Sequence, residues 1–285
     1  MELLSNIKYY FYDFFIEFGD KRIKSLPGFQ TGPVVVLSIL LIYLLLVLKI
    51  IPHLMRDRQP FCLRKTIQFY NISLVVINAF YFFHELIASN FGKELLNLEI
   101  PSDDEVSPSI TYQMNLYYFY VLTKIIDLSD TFFSALRKKR NQITFLHLYH
   151  HSLMVLLSWV AFWFRFNIKP NSLFILVNSL VHTIMYSYYT LAAFGPKVQK
   201  YLWWKKYLTQ LQLAQFIIFI IYGIINEIMG IPYPNLLKYG TQAQSPFFFY
   251  LFYDFYKSSY KRKQRLIEIN NNNNNIDEYE VKKDT

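Results

Sequence analysis

The chain has 285 residues, of which 53% are hydrophobic and 19% aromatic, with 27 Phe and 24 Tyr. Charged residues make up 17%, below the ~25% of soluble domains, so the composition points away from a soluble enzyme and toward one multi-span membrane domain. The single cysteine, Cys62, excludes an internal disulfide framework and a cysteine-built metal site. The formal charge of +9 would suggest nucleic acid in a soluble protein, but the positive residues gather in loops between apolar runs, and no nucleic-acid partner is expected.

Apolar runs predict seven spans, at about 33–51, 66–89, 112–134, 143–163, 171–194, 207–229 and 244–256. Length and periodicity alone would also permit six. The first is opened by Pro33, and the third is the least apolar, with Lys124, Asp127 and Asp130. The last is short and aromatic. No cleavable signal peptide is evident, because the first apolar run continues to spanning length. The only N-x-S/T match, Asn71-Ile72-Ser73, lies inside a predicted span and is not expected to be glycosylated.

With seven spans, the loops near 52–65, 135–142 and 195–206 and the C-terminal tail share one side and carry 19 Lys and Arg, against 8 on the other. Positive residues accumulate on the cytoplasmic side, so the C-terminus is expected there and the N-terminus across the membrane. The acidic loop Asp103-Asp104-Glu105 falls on the far side. The expected domains are a luminal segment (1–32), a membrane domain (33–256) and a disordered cytosolic tail (257–285). That tail holds six consecutive asparagines, Asn270 to Asn275, and cannot bury a core. It ends Lys282-Lys283-Asp284-Thr285, a dilysine pattern for retrieval to the endoplasmic reticulum that requires a cytosolic tail.

Four predicted spans carry narrow polar stripes at helical spacing. The third has Lys124, Asp127, Asp130 and Thr131. The fourth has His147, His150 and His151, at i, i+3 and i+4. The fifth has Asn178, His182, Met185, Tyr186 and Tyr189, and the sixth Thr209, Gln212 and Gln215. Helices packed around a shared polar interior, with lipid outside, satisfy all four stripes. Taken singly, each stripe also has a structural reading: Gln and Thr as interhelical glue, and Lys124 with Asp127 as a local ion pair. No scaffold requires three imidazoles within five residues.

Two kinds of chemistry suit that histidine face. One is metal binding, as in a membrane iron-dependent desaturase or hydroxylase, which also carries an HxxHH box. That class needs several boxes, whereas this chain has six histidines in all, one HxxHH and no separate HxxxH box, so no metal is expected. The other is general-base or nucleophilic work, since a neutral imidazole can take an acyl group from a thioester. A seven-span receptor or transporter, using the stripes to hold a ligand, is a third reading.

The ordered set of stripes resembles the ELO family of very-long-chain fatty acid elongases, the 3-ketoacyl-CoA synthases. Lys124-Ile125-Ile126-Asp127-Leu128-Ser129-Asp130-Thr131 is similar to the family's KxxExxDT, with Asp127 where Glu is usual. His147 to His151 matches HxxHH, Asn178 to Tyr189 matches NxxxHxxMYxYY, and Thr209, Gln212 and Gln215 match TxxQxxQ. The resemblance implies an all-α integral membrane protein of the endoplasmic reticulum, with seven helices, six of them forming a barrel around an acyl tunnel. It implies an acyltransferase that condenses a long-chain acyl-CoA with malonyl-CoA, giving a 3-ketoacyl-CoA, CO2 and CoA without a cofactor. Its expected partners are membrane lipid, the ketoacyl-CoA reductase, dehydratase and enoyl-CoA reductase of the cycle, and, as an open arrangement, a second copy in a homodimer. His150 would be the nucleophile and His182 the opposing group. His147, His151 and Asn178 would orient the imidazoles, and Asp130 would fix a tautomer. Asp127, Tyr186, Tyr189, Thr209, Gln212 and Gln215 would line the polar tunnel. Lys124, Arg137, Lys138, Lys139, Lys205 and Lys206 would meet the phosphates of CoA.

Overall fold

The computed structural model describes residues 8–96, 107–165, 169–230 and 235–261. Its long helices are α1 (Val34–Leu54), α2 (Arg64–Ala88), α3 in two parts (Pro108–Asp127 and Ser129–Leu136), α4 (Phe145–Arg165), α5 (Lys169–Ala193), α6 (Lys205–Ile228) and α7 (Gln244–Tyr256). No strand occurs among the described residues. Helices thus occupy all seven predicted segments, with ends displaced by four residues or fewer. Helices α1, α2, α4 and α6 are long and apolar enough to cross a membrane. Those four define a multi-pass membrane protein. The acidic loop, the Asn run and the dilysine end lie outside the described residues. Five residues of the expected tail, Lys257–Lys261, instead prolong α7 as a π turn.

Local chemistry sets the helix ends. Ser107 opens α3, its Oγ accepting from Ile110 N at 3.2 Å, and Pro108 occupies the first turn where no amide hydrogen is needed. Thr144 caps α4, its Oγ1 accepting from His147 N at 3.2 Å. In α1 the stretch Leu46–Ile50 is a π turn ending two residues before Pro52, a residue that cannot donate to the ladder and crowds the carbonyl four residues earlier. Helix α3 is broken at Leu128, where Leu128 N bonds Ile125 O and Thr131 N bonds Leu128 O, both at 3.2 Å. These i to i−3 bonds form one tighter turn between the two parts. Periodicity alone predicts one continuous span there.

Packing is that of a membrane protein, with apolar stripes outward and polar stripes inward. On α2, Phe69, Ile72, Val76, Phe80, Phe83 and Ile87 are exposed along one face, while Asn71, Asn78 and Glu85 are buried on the other. Helices α2 and α5 run antiparallel: Arg64 at the start of α2 donates to the carbonyls of Ala193 and Phe194 at the end of α5. The intervening Gly195, with φ +94, makes a turn that side chains rarely adopt, and a Cβ there would lie 3.3 Å from Arg64 Nη2. Phe61 N bonds Leu136 O, and Lys138 donates to Arg56 O at 3.1 Å. The loops after α1, α3 and α5 therefore gather at one end of the molecule, and they are three of the basic loops.

At the opposite end, residues before α1 pack on the end of α4. Phe29 stacks on Trp159 and Trp163, with ring centroids 5.7 and 5.8 Å away. Trp163 Nε1 donates to Phe15 O at 2.8 Å, and Asp20 N donates to Trp163 O at 3.0 Å. Gly19 sits inside this junction, where an added Cβ would overlap Trp163 Nε1 and lie 2.6 Å from Phe15 O. Gly19→Ala is accordingly expected to displace the Trp163 bond and cost about 1–3 kcal/mol. A lower thermal midpoint of the purified protein would register it, and an unchanged midpoint would show that the junction yields freely.

Candidate active site

Helices α3, α4 and α5 bring the predicted polar residues together. Lys124 is 3% exposed, and its Nζ donates to Asp127 Oδ2 at 3.3 Å and to Asn178 Oδ1 at 3.2 Å. Asn178 Oδ1 also accepts from Tyr120 OH at 3.0 Å, and the ammonium lies 4.8 Å from the centre of the Tyr120 ring. Tyr186 OH contacts two carboxylates, Asp127 Oδ1 at 3.4 Å and Asp130 Oδ2 at 3.0 Å. One buried ammonium thus pairs with Asp127 on its own helix, and Asn178 and Tyr186 of α5 tie the Lys124, Asp127 and Asp130 side chains of α3 to the neighbouring helix. Lys124, expected among the cations that meet CoA, belongs to this interior network.

The histidine face lies beside it. His147 Nε2 is 2.7 Å from Thr131 Oγ1, and that oxygen is 2.8 Å from Tyr43 OH of α1. The residue of α3 that hydrogen-bonds the histidine face is therefore Thr131, while Asp130, expected to fix a tautomer, is bonded to Tyr186. The His147 and His151 rings pack at 4.3 Å, and His150 stands nearly perpendicular to His151 at 5.5 Å. Two aromatic residues of α7 close over His150: Phe248 at 5.3 Å and Phe252 at 6.0 Å. His182 is buried, its ring 5.7 Å from Tyr186 and its Nδ1 without a hydrogen-bond partner among the described residues. His182 does not itself line the cavity that His150 and Asn178 face.

His150, Asn178 and Gln215 line one end of a cavity of about 230 Å³. From there the walls become apolar, with Met154, Leu157, Phe162, Leu173, Phe219 and Tyr222 among them. The cavity follows α4 from His150 to Phe164, roughly 20 Å at 1.5 Å per residue, toward the end away from the basic loops. Its far part also meets Asn226, Lys238 and Gln242. Of the other expected lining residues, Asp127 and Tyr186 sit in the ionic network and Thr209 is buried. Gln212 Nε2 contacts Met185 Sδ at 3.5 Å, and Tyr189 is 39% exposed. Lys138, Lys139, Lys205 and Lys206 are exposed at the basic end, and Arg137 is half-buried there. No cluster of three metal-ligating residues occurs among the described residues.

The GNS1/SUR4 model of the ELO family matches residues 29–267. The chain belongs to the ELO family. It is 36% identical over 264 residues to very long chain fatty acid elongase 4 of Homo sapiens, covering 90% of this chain and 80% of that protein. It is 36% identical over 278 residues to very long chain fatty acid elongase 1 of Mus musculus, covering 93% and 94% respectively. Very long chain fatty acid elongase 7 of Drosophila melanogaster is 34% identical over 249 residues, or 86% of this chain and 74% of the relative. The four motifs that carried the resemblance lie inside the matched region of this ELO protein.

Several residues at the site were not singled out by sequence reasoning. Tyr120 could have been found by extending the Lys124 stripe back one turn, since 120, 124 and 127 share a helical face. Tyr43, Phe248 and Phe252 gave no such signal, being aromatic residues in a chain with 27 Phe and 24 Tyr.

Proposed function

We propose that this ELO protein condenses a long-chain acyl-CoA with malonyl-CoA, the first step of a fatty acid elongation cycle, with His150 as acyl carrier. The observation that carries this assignment is the cavity: one imidazole of the histidine face opens into an apolar shaft long enough for an extended acyl chain. A His150 ring nitrogen attacks the thioester carbonyl, the C–S bond breaks, and CoA leaves as the thiolate. Malonyl-CoA then loses CO2, and the resulting enolate carbon attacks the acyl-imidazole. The C–N bond breaks, the imidazole is regenerated, and 3-ketoacyl-CoA departs. His182, with its unpartnered Nδ1, is assigned to the oxyanion or enolate. Asn178, held by Lys124 and Tyr120, positions the carbonyl through its amide nitrogen. His147 and His151 hold the plane of His150.

Helices α2 to α7 form the six-helix barrel and α1 packs outside it, so that all seven cross the membrane. The basic loops face the cytosol, where Arg137, Lys138, Lys139, Lys205 and Lys206 meet CoA phosphates. The C-terminus is cytosolic and the protein resides in the endoplasmic reticulum with the two reductases and the dehydratase of the cycle. The acyl chain then points toward the lumen, away from the basic end.

The test is condensation by the purified full-length protein with labelled malonyl-CoA and a panel of acyl-CoAs, together with peptide mass spectrometry after acyl-CoA alone. The proposal requires an acyl adduct on His150 that malonyl-CoA discharges. An adduct on another residue, or turnover with none, would refute the assignment of the nucleophile. Cavity shape supplies a second prediction. Ala161 lines the shaft, and Ala161→Phe is expected to lower kcat/KM for the longest accepted acyl-CoA by about tenfold while sparing shorter ones. An even loss across all lengths would mean that the chain does not lie there.

A further inference from the structure

We propose that Tyr43, on the first helix, is a positioning residue for the condensation, acting through Thr131 to fix the proton and the ring orientation of His147. The inference rests on the histidine face being the acyl-transfer site proposed above.

Helix α1 turns four buried residues inward, Val36, Leu40, Tyr43 and Val47, and Tyr43 carries the one hydroxyl in that stripe. The remaining faces of α1 are predominantly apolar and largely exposed, as lipid contact requires, with Lys49 and His53 near its C-terminal end. Tyr43 is separated from Thr131 by 88 positions, yet its hydroxyl lies 2.8 Å from Thr131 Oγ1. The same Oγ1 lies 2.7 Å from His147 Nε2. Tyr43 is 2% exposed and Thr131 fully buried, so the middle of the chain has no access to bulk water.

Counting protons gives this chain a direction. Each hydroxyl donates once. If Thr131 donated to Tyr43, the phenol proton would be buried facing no acceptor among the described residues, which is costly. If Tyr43 and a His147 Nε2–H both donated to Thr131, the buried Thr131 proton would in turn face no acceptor among the described residues; with Tyr43 donating to Thr131, the Thr131 proton is therefore directed at His147 Nε2, which accepts through its lone pair. The proton of the neutral imidazole then sits on Nδ1. A 180° turn of the ring would put carbon against Thr131 Oγ1 and lose the bond. Tyr43 and Thr131 therefore select one tautomer and one ring orientation. His147 passes that order on by contact, its ring 4.3 Å from His151, which in turn packs on His150. A helix that does not line the cavity is thereby tied to the acyl carrier.

The experiment uses full-length protein in detergent or nanodiscs, with kcat and KM measured beside thermal midpoints. Tyr43→Phe and Thr131→Val keep shape and remove only hydroxyls. Each is expected to lower kcat about tenfold, the loss typical when the group orienting an imidazole is removed, with KM for both substrates within about twofold. Thr131→Ser, which keeps the hydroxyl, should retain most of kcat. The double variant Tyr43→Phe/Thr131→Val should be no slower than Thr131→Val, because both hydroxyls act through one path. Unchanged kcat in Tyr43→Phe, losses that multiply in the double variant, or losses that only track the folded fraction would each overturn the proposal. His147→Gln separates the two levels. Wild-type kcat in that variant would refute the histidine face as the site, whereas a slow His147→Gln with a normal Tyr43→Phe would refute Tyr43 alone.

Discussion

Replacing His150 with alanine is expected to abolish condensation, lowering kcat by about a thousandfold or more, and to abolish the acyl-enzyme adduct with it. The size follows from what is removed. A covalent carrier divides one difficult acyl transfer into two easier ones, and no neighbouring group can take over its geometry. His151 is the nearest imidazole, but it stands nearly perpendicular to His150, and the cavity wall includes His150 and not His151. Folding should survive. The His150 ring packs against Phe248 and Phe252, and these rings also contact Phe216, at 5.7 and 5.1 Å. Two measurements together decide the matter: kcat with labelled malonyl-CoA, and the mass of the His150 peptide after acyl-CoA alone. A His150→Ala protein that still forms an acyl adduct moves the carrier to another residue. One that condenses without any adduct replaces the two-step sequence by direct attack of the enolate on bound acyl-CoA.

Much of the site was legible because a membrane inverts the usual pattern. Polar residues inside apolar runs are costly, so those at 124, 127, 130 and 131 and at 147, 150 and 151 had to face inward, and helical spacing put each set on one face. The structure joins these stripes through Thr131 and His147 and through Lys124 and Asn178. What stayed hidden has physical reasons. The break at Leu128 leaves no mark in hydropathy, since Leu-Ser-Asp-Thr fits a continuous helix as well as a broken one. The link from Tyr43 depends on tertiary packing between distant helices. Residues 1–32 read only as a luminal segment, yet Phe15, Gly19 and Phe29 seat on Trp159 and Trp163, a fit set by ring geometry rather than by any periodicity. Charge type was also an incomplete guide. By charge Lys124 groups with the exposed cations of the loops, and of its two sequence readings the local pair with Asp127, one turn away on its own helix, is the one that lets it be buried.

That pair makes Lys124 the residue whose loss should damage the fold most. Lys124→Met leaves Asp127 buried without its ammonium, with only the Tyr186 hydroxyl at 3.4 Å, itself shared with Asp130. Breaking one side of a buried ion pair costs about 3–5 kcal/mol, because the remaining charge must be neutralised or hydrated where water is scarce. Asn178 loses a donor in the same step and keeps Tyr120. The variant should therefore melt well below the parent and lose activity even in its folded fraction. Removing both charges separates these effects. Lys124→Met/Asp127→Leu replaces the pair with apolar side chains of similar volume, an exchange that is often neutral for stability. Its thermal midpoint is expected to recover toward the parent value. Its kcat is not, because Asn178 still lacks the ammonium that fixes its amide. Recovery of both would make the pair a structural strut with no part in positioning the substrate carbonyl. Recovery of neither would mean that Asp127 holds the site through Tyr186 rather than through Lys124.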